Sequence, residues 1–272
     1  MTAKIQLYQI AYDIASYEAV RQSEFLLLDN LDNSRPDWYE YWPIRKFLST
    51  TTLKEDTWYG FFSPKFSQKT SMCHADVCAF VADADNSKLA DVCLFSPQPD
   101  MGANFLSVFE QAEVFDPGFN ATARDFLRSC DLDVPLDGLI MDARQTVFSN
   151  YFVAKSPFWR LWFDLTERLF DVCENGDHPL NASLCFQTNY GANAQRKVFL
   201  LERLASLLLV LHPEFRAVPC NPYGMGWSMS RFREHPQQTY INDALKMAYR
   251  ELGYPQYMEA FNALRNQFVG KS

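Results

Sequence analysis

Ile5-Gln-Leu-Tyr-Gln-Ile-Ala-Tyr12 is a run of β-forming residues that stops at Asp13. It reads as a strand near the start of the chain, and the rest of the reading is built outward from it. Trp58-Tyr-Gly-Phe-Phe62 is a second strand, ended by Ser63-Pro64. Asp91 to Phe95 is a buried strand closed by Ser96-Pro-Gln-Pro99, and Thr146 to Ala154 is a further one. Between them lie a short apolar run (Phe25 to Leu28, stopping at Asp29-Asn30) and a helical stretch, Trp38 to Leu48, broken or begun at Pro43. More helices are expected over Cys73 to Ala82, Ala121 to Ser129 and Asn104 to Phe115, the last with Phe105, Val108, Phe109 and Ala112 on one face. Ser156-Pro157 pairs an N-cap with a first-turn proline, opening a helix to about Cys173. A helix over Ala194 to Leu211 ends at His212-Pro213, and two more, Ile241 to Leu252 and Pro255 to Phe268, close the chain. Tyr223-Gly-Met-Gly-Trp227 reads as a flexible aromatic loop. Strands alternating with helices over the first two thirds imply an α/β fold, with a central sheet flanked by helices and a helical C-terminal lobe. No repeat or linker divides the chain, so one domain over 1–272 is expected, α/β over 1–155 and mostly helical over 156–272.

Bulk properties narrow the classes. The chain has 272 residues, 48% of them apolar and 21% charged, enough to bury a full core. A net charge of -8 without a Lys/Arg cluster argues against a nucleic-acid partner. Seven cysteines with no C-x-x-C pair read as buried free thiols of a reducing compartment. No secretory signal core is seen, and the most apolar stretch, Val198 to Leu211, is interrupted by Glu202 and Arg203. The expected location is cytoplasmic, with no transmembrane segment and with peripheral membrane contact compatible. Aromatic residues are in excess, with 23 Phe, 13 Tyr and 6 Trp, which suits either a bulky core or platforms for sugar and base rings.

Several signatures are missing. There is no G-x-G-x-x-G, no Walker loop and no G-x-S-x-G, and the four histidines lack metal-ligand spacing. Val81-Ala-Asp-Ala-Asp85 is the one D-x-D after an apolar run. Asp83 and Asp85 at this spacing suit a divalent ion held against a diphosphate, or simply a solvated helix end. Asp100 follows the Asp91 to Phe95 strand, at the end where open α/β sheets place ligands, and is a second metal or catalytic candidate.

Four blocks resemble a family of glycosyltransferase-like proteins from bacterial exopolysaccharide, capsule and lipopolysaccharide clusters. They are Gln9-Ile-Ala-Tyr-Asp13; Leu28-Asp-Asn30 leading into Tyr39-Glu-Tyr-Trp42 and Arg45-Lys46; Tyr59-Gly-Phe-Phe-Ser-Pro-Lys-Phe66; and Ser149-Asn-Tyr-Phe-Val153 together with Phe199-Leu-Leu-Glu-Arg-Leu204. In the third block the family's histidine and paired arginines are replaced by Ser63, Pro64 and Lys65. The resemblance implies a GT-A-like (Rossmann-like) sheet over 1–155 that binds a nucleotide sugar, with acceptor contacts from 156–272. It implies sugar transfer from that donor to a growing glycan or lipid-linked acceptor, with Mn²⁺ or Mg²⁺ as an optional cofactor. The alternative is a degenerate, non-catalytic member that binds a sugar or a protein partner.

Such chemistry needs a base platform, positive charge or metal for the diphosphate, and a carboxylate to take the acceptor proton. Gln9, Tyr12, Asn30, Arg45, Lys65 and Arg203 are the donor-side candidates, with Lys69 a further cation. Glu202 and Asp100 are the catalytic candidates; Glu202 and Arg203 would otherwise form a structural pair inside an apolar helix. Tyr39, Glu40, Trp42, Asn150, Tyr151 and Trp227 are the sugar-side candidates.

Overall fold

The computed structural model describes residues 3–190 and 194–269. The strands are β1 (Lys4–Ala11), β2 (Leu26–Asp29), β3 (Thr57–Phe62), β4 (Val92–Leu94), β5 (Phe152–Lys155) and β6 (Ala217–Pro219). In the first half the helices are α1 (Ile14–Arg21), α2 (Tyr41–Thr50), α3 (Phe66–Thr70), α4 (His74–Asn86), α5 (Pro99–Ala103), α6 (Val108–Phe115) and α7 (Phe119–Ser129). The second half carries α8 (Ser156–Glu174), α9 (Asn181–Leu184), α10 (Arg196–Leu211), α11 (Pro236–Leu252) and α12 (Pro255–Val269).

The strands form one six-stranded sheet in the order β2-β1-β3-β5-β4-β6. β1 runs parallel to β2 and β3, and β4 runs parallel to β6. β5 is antiparallel to both its neighbours, β3 and β4. The C-terminal ends of the other five strands and the start of β5 therefore share one edge of the sheet. The α/β reading holds, as a mixed sheet flanked by helices.

Side-chain alternation along the strands feeds two cores. Tyr59, Phe61, Leu94, Phe152 and Ala154 face a large cluster built with α2, α6, α7, α8 and α10. Leu7, Trp58, Phe62, Cys93, Tyr151 and Val153 face a smaller one with Val77 and Val81 of α4. Every residue of β3 is buried, as expected for a strand covered on both faces. Gly60 fits only because it lacks a side chain: a Cβ there would lie 2.8 Å from Val153 Cγ2 and 3.1 Å from Leu7 Cδ2.

Several expectations change. α1 is absent from the sequence reading, because its exposed face hides the helical period; an Asp13/Ser16 capping box starts it. α4 runs on to Asn86 and so contains both Asp83 and Asp85. The helix expected from Asn104 starts only at Val108, capped by the Ser107 side chain, while Pro99–Ala103 forms its own short helix. The strand expected from Thr146 starts only at Phe152, because Ser149 and Asn150 have positive φ (59° and 53°). The loop around Trp227 is stitched down rather than loose. Gly226 N donates to Lys69 O at 2.7 Å, and Gln98 N donates to Gly226 O at 2.7 Å. Cys93, Cys130 and Cys173 are buried, whereas Cys73 is exposed. Among the described residues no helix is long and apolar enough to cross a membrane.

Gly60→Val should lower unfolding stability by about 1–3 kcal/mol, because Val153 is β-branched and has no open side to move into. Urea denaturation of both proteins measures it, and an unchanged midpoint would contradict this packing.

Candidate functional site

The shared edge gathers polar side chains from four strands. Gln9, near the end of β1, is buried and donates from Nε2 to Ser63 O at 3.3 Å. The Ser63 hydroxyl, just beyond β3, is hydrogen-bonded to the Tyr151 hydroxyl at the start of β5. Lys69 Nζ donates to Ser149 Oγ at 2.9 Å and stands 5.6 Å from the Tyr151 ring centre. Asn30 follows β2, and its backbone N–H bonds Ala11 O at 2.8 Å. The Asn30 and Asn150 side chains are only 3% and 6% exposed. Their Oδ1 atoms have no hydrogen-bond donor among the described residues. The amide oxygens of Asn120, Gln145, Gln195 and Asn242 share this property, so Asn30 and Asn150 are two of six such acceptors, the two that lie beside this edge. Tyr12, after β1, keeps 39% of its surface exposed there.

Two carboxylates complete the cluster. Glu202 lies in the first half of α10, the end that reaches this edge. One turn later, Ser206 Oγ accepts from Val147 N at 2.9 Å, pinning the helix to the segment that leads into Ser149. The Glu202 residue is only partly exposed. Its carboxyl is raised above the ordinary range, first by loss of solvation; neighbouring Arg203 pulls the other way, Glu40 adds to the rise and Lys69 opposes it. Glu40 stands at the start of α2, where its side chain makes no capping bond. The Tyr12 phenol is raised by burial, then by Asp13 and Glu40. The Tyr151 phenol is raised mainly by burial; its bond to Ser63 lowers it, while Glu40 and Glu202 raise it further. Glu40 thus raises the proton affinity of Tyr12, Tyr151 and Glu202 alike, and Lys69 lowers that of Glu202.

Other candidates lie elsewhere or are already engaged. Arg45 forms a two-pronged bond to Glu167 of α8 (2.7 and 2.8 Å) and stacks on Phe170 at 3.9 Å. Trp42 stacks on the same Phe170 and donates to Ser34 Oγ, so both residues clamp α2 to α8. Arg203 is buried, and it donates to Val108 O, Phe199 O and Gln111 Oε1 at 2.9, 2.8 and 2.6 Å. It locks α10 to α6 and presents nothing to the edge. Asp100 is fully buried: Oδ1 takes Ser228 N at 3.0 Å, and Oδ2 takes the Ser228 and Ser230 hydroxyls. It anchors the loop after Trp227, which corrects its reading as a catalytic or metal-binding carboxylate. Asp85 is bonded to Trp58 Nε1 and Lys155 at the opposite edge of the sheet, and Asp83 is exposed beside it. Trp227 is half-buried, and its Nε1 donates to Tyr223 O at 3.3 Å. Lys65, three residues after β3, and Tyr39, directly before Glu40, are exposed.

Of the residues named for Mn²⁺ or Mg²⁺, Asp100 has both oxygens hydrogen-bonded and Asp85 is paired with Lys155, which leaves exposed Asp83. Among the described residues no group of three or more His, Cys, Asp or Glu side chains could hold a metal ion. A separate small cleft of about 20 Å³ beyond β4 and β6, lined by Ser96, Gln98, Cys220, Tyr223 and Asp243, contains none of the edge carboxylates. The Ser63–Tyr151 bond and the Lys69–Ser149 bond were not foreseen. The Ser149-Asn150 pair was a usable signal, because asparagine tolerates left-handed backbone.

The chain is thus an α/β protein whose mixed sheet carries a polar, carboxylate-bearing cluster at the C-terminal edge of its parallel strands. Comparison with protein-family models, with curated proteins and with solved structures finds no match for it.

A raised carboxyl is a cost to the fold wherever it is ionised. That cost is present above the folded value and absent below about pH 4.3, the value for an unfolded glutamate. Glu202→Gln, which mimics the protonated acid, should therefore raise the melting temperature at pH 7.5, and the gain should vanish below about pH 4. Calorimetry of both proteins across pH checks this; a variant less stable than the parent at pH 7.5 would contradict it.

Proposed function

We propose that the chain is a GT-A-like glycosyltransferase that moves a sugar from a nucleotide-activated donor to a growing cell-surface glycan. The observation that carries this reading is the gathering of Gln9, Tyr12, Asn30, Glu40, Asn150, Tyr151 and Glu202 at one sheet edge. Open α/β sheets bind their ligands outside the carboxyl ends of their strands. One antiparallel strand in an otherwise parallel sheet is compatible with the same fold.

In this reading Glu202 takes the proton from the acceptor hydroxyl as that oxygen bonds to the anomeric carbon and the nucleoside diphosphate leaves. A carboxylate with a raised pKa accepts that proton more readily than an ordinary one. Lys65 and Lys69 meet the leaving diphosphate, Tyr12 offers a ring for stacking, and the Asn30 and Asn150 oxygens accept sugar hydroxyls. Tyr39 flanks the acceptor side. No step is routed through a metal, and the work is assigned to the cytoplasmic side.

One observation favours the second reading, a non-catalytic sugar-binding protein of the same fold. Arg45 and Arg203 are spent on helix packing. Of the cations named for the diphosphate, Lys65 and Lys69 remain, and lysine lacks arginine's planar fork.

Thermal-shift measurements with UDP-, GDP-, CMP- and dTDP-sugars, with and without Mn²⁺, should find one nucleotide class that stabilises the protein. Stabilisation by none would overturn the transferase reading. Glu202→Gln should lose about 10²–10⁴-fold in transfer while keeping the nucleotide-induced shift. Sugar binding without any turnover would instead support the second reading.

A further inference from the structure

The seven cysteines are all free thiols, and they differ in what their sulfurs touch. Cys78 Sγ lies against the His74 ring at 3.7 and 3.8 Å, and Cys130 Sγ lies 4.0 Å from Ser129 Oγ. Cys185 Sγ instead donates to the backbone oxygen of Cys173 at 3.8 Å, across 12 positions of sequence. Among the described residues it is the one cysteine sulfur that bonds another cysteine. Hydrogen bonds hold the corner around them. Cys173 is in the last turn of α8, and Asn181, the first residue of α9, donates from Nδ2 to the same Cys173 O at 2.7 Å. Cys185 N then donates to Asn181 O at 2.8 Å, so the residue that closes α9 returns to the end of α8. Both side chains join the large core: Cys173 is 6% exposed within it, and half-buried Cys185 packs against it. Burial raises the Cys173 thiol above its ordinary value. The neighbouring Cys185 thiol adds to that rise by charge and by a hydrogen bond, and Lys197 opposes it.

We propose that Cys173 and Cys185 are a modification site, a dithiol that a small-molecule disulfide of the glutathione type oxidises to an intramolecular disulfide. Cys185 is the accessible partner and reacts first. It gives up its proton and its sulfur bonds one sulfur of the oxidant; the oxidant's S–S bond breaks, and its other half leaves as a thiol carrying that proton. Cys173 then gives up its proton and bonds Cys185 Sγ, and the second half of the oxidant leaves as a thiol. Two protein thiols are oxidised and one oxidant disulfide is reduced to two thiols. Burial shields Cys173 from direct attack, so Cys185 is its route to oxidation. The product staples α9 to α8. It also ties down the entry to α10, because Arg196 N donates to Phe186 O at 3.0 Å and the Arg196 guanidinium stands 5.1 Å from the Phe186 ring centre. The inference is independent of the transferase reading.

The test incubates the full chain, folded, with oxidised glutathione, blocks free thiols with iodoacetamide and maps the digest by mass spectrometry. Peptides joined through Cys173 and Cys185 should appear and be released by dithiothreitol. The oxidised protein should melt about 4–10 °C higher than the reduced one, because the link closes a loop that the unfolded chain otherwise leaves open. Exposed Cys73 is the control for reagent access and should carry glutathione alone. In Cys173→Ala, glutathione should stay on Cys185 as a mixed disulfide. In Cys185→Ser, Cys173 should stay free and the oxidant-induced rise in melting temperature should vanish; this half-buried position keeps the test readable if Cys173→Ala folds poorly. Free Cys173 and Cys185 in a sample whose Cys73 has reacted would overturn the inference. So would either residue paired with a different cysteine, a link that forms only in urea, or a link that leaves the melting temperature unchanged.

Discussion

The structure depends on the insertion of β5, against the common direction, between β3 and β4. Without it the β2-β1-β3 and β4-β6 halves would share no ladder. Its side chains hold both faces of the sheet: Phe152 stacks on Trp159 at 4.3 Å on one, and Tyr151 and Val153 fill the other. Trp159 Nε1 also donates to Tyr59 O at 2.9 Å, fastening α8 to β3 through a buried bond. Because β5 is reversed, its beginning lies at the same edge as the ends of the other strands. The left-handed turn at Ser149-Asn150 delivers the chain to that edge, and the site candidates are arranged around it.

Buried charge in this protein serves architecture first. Arg196 bonds Asp116 and Thr122, and Lys197 bonds Asp37 and stands 4.2 Å from the Trp38 ring centre. Burial alone would raise the Asp37 carboxyl, but hydrogen bonds from Arg35 and Lys197 outweigh it and hold the group down to about 2. Lys246 donates to Gly102 O and Phe105 O, both at 2.7 Å, and burial brings it down to about 8. Asp142, with no exposed surface, takes Arg144 and Arg250. Each of these ions has its partners, as a buried ion must. Glu202 differs, because among the described residues its poorly solvated carboxylate makes no ion pair or hydrogen bond, while Arg203 and Lys69 pull its proton affinity down and Glu40 pushes it up. That contrast, rather than burial itself, separates it from Asp100 and Arg203.

Local pattern was enough to name part of the candidate cluster. Gln9, Tyr12, Asn30, Asn150 and Glu202 stood out as candidates because each sits at a strand end or breaks an apolar run. Arg45 and Arg203 looked alike in sequence to any ligand-binding arginine. Their partners, Glu167 more than a hundred residues away and the Val108 carbonyl, are set by helix packing that periodicity does not encode. Asp100 misled for the same reason, since its position after a strand was read correctly but the loop that covers it returns from Ser228 and Ser230.

By itself the sequence determined the α/β class, the main strands and the long helices, because alternation, helical spacing and proline act over a few residues. It determined too that charges at 202 and 203 interrupt an apolar helix. Only the tertiary structure decided that β5 runs backwards, that β6 joins the sheet as a three-residue strand, and that Glu202 stays partly exposed while Arg203 turns inward. Those choices rest on contacts between residues far apart in the chain, where pairing and desolvation rather than local preference set the outcome.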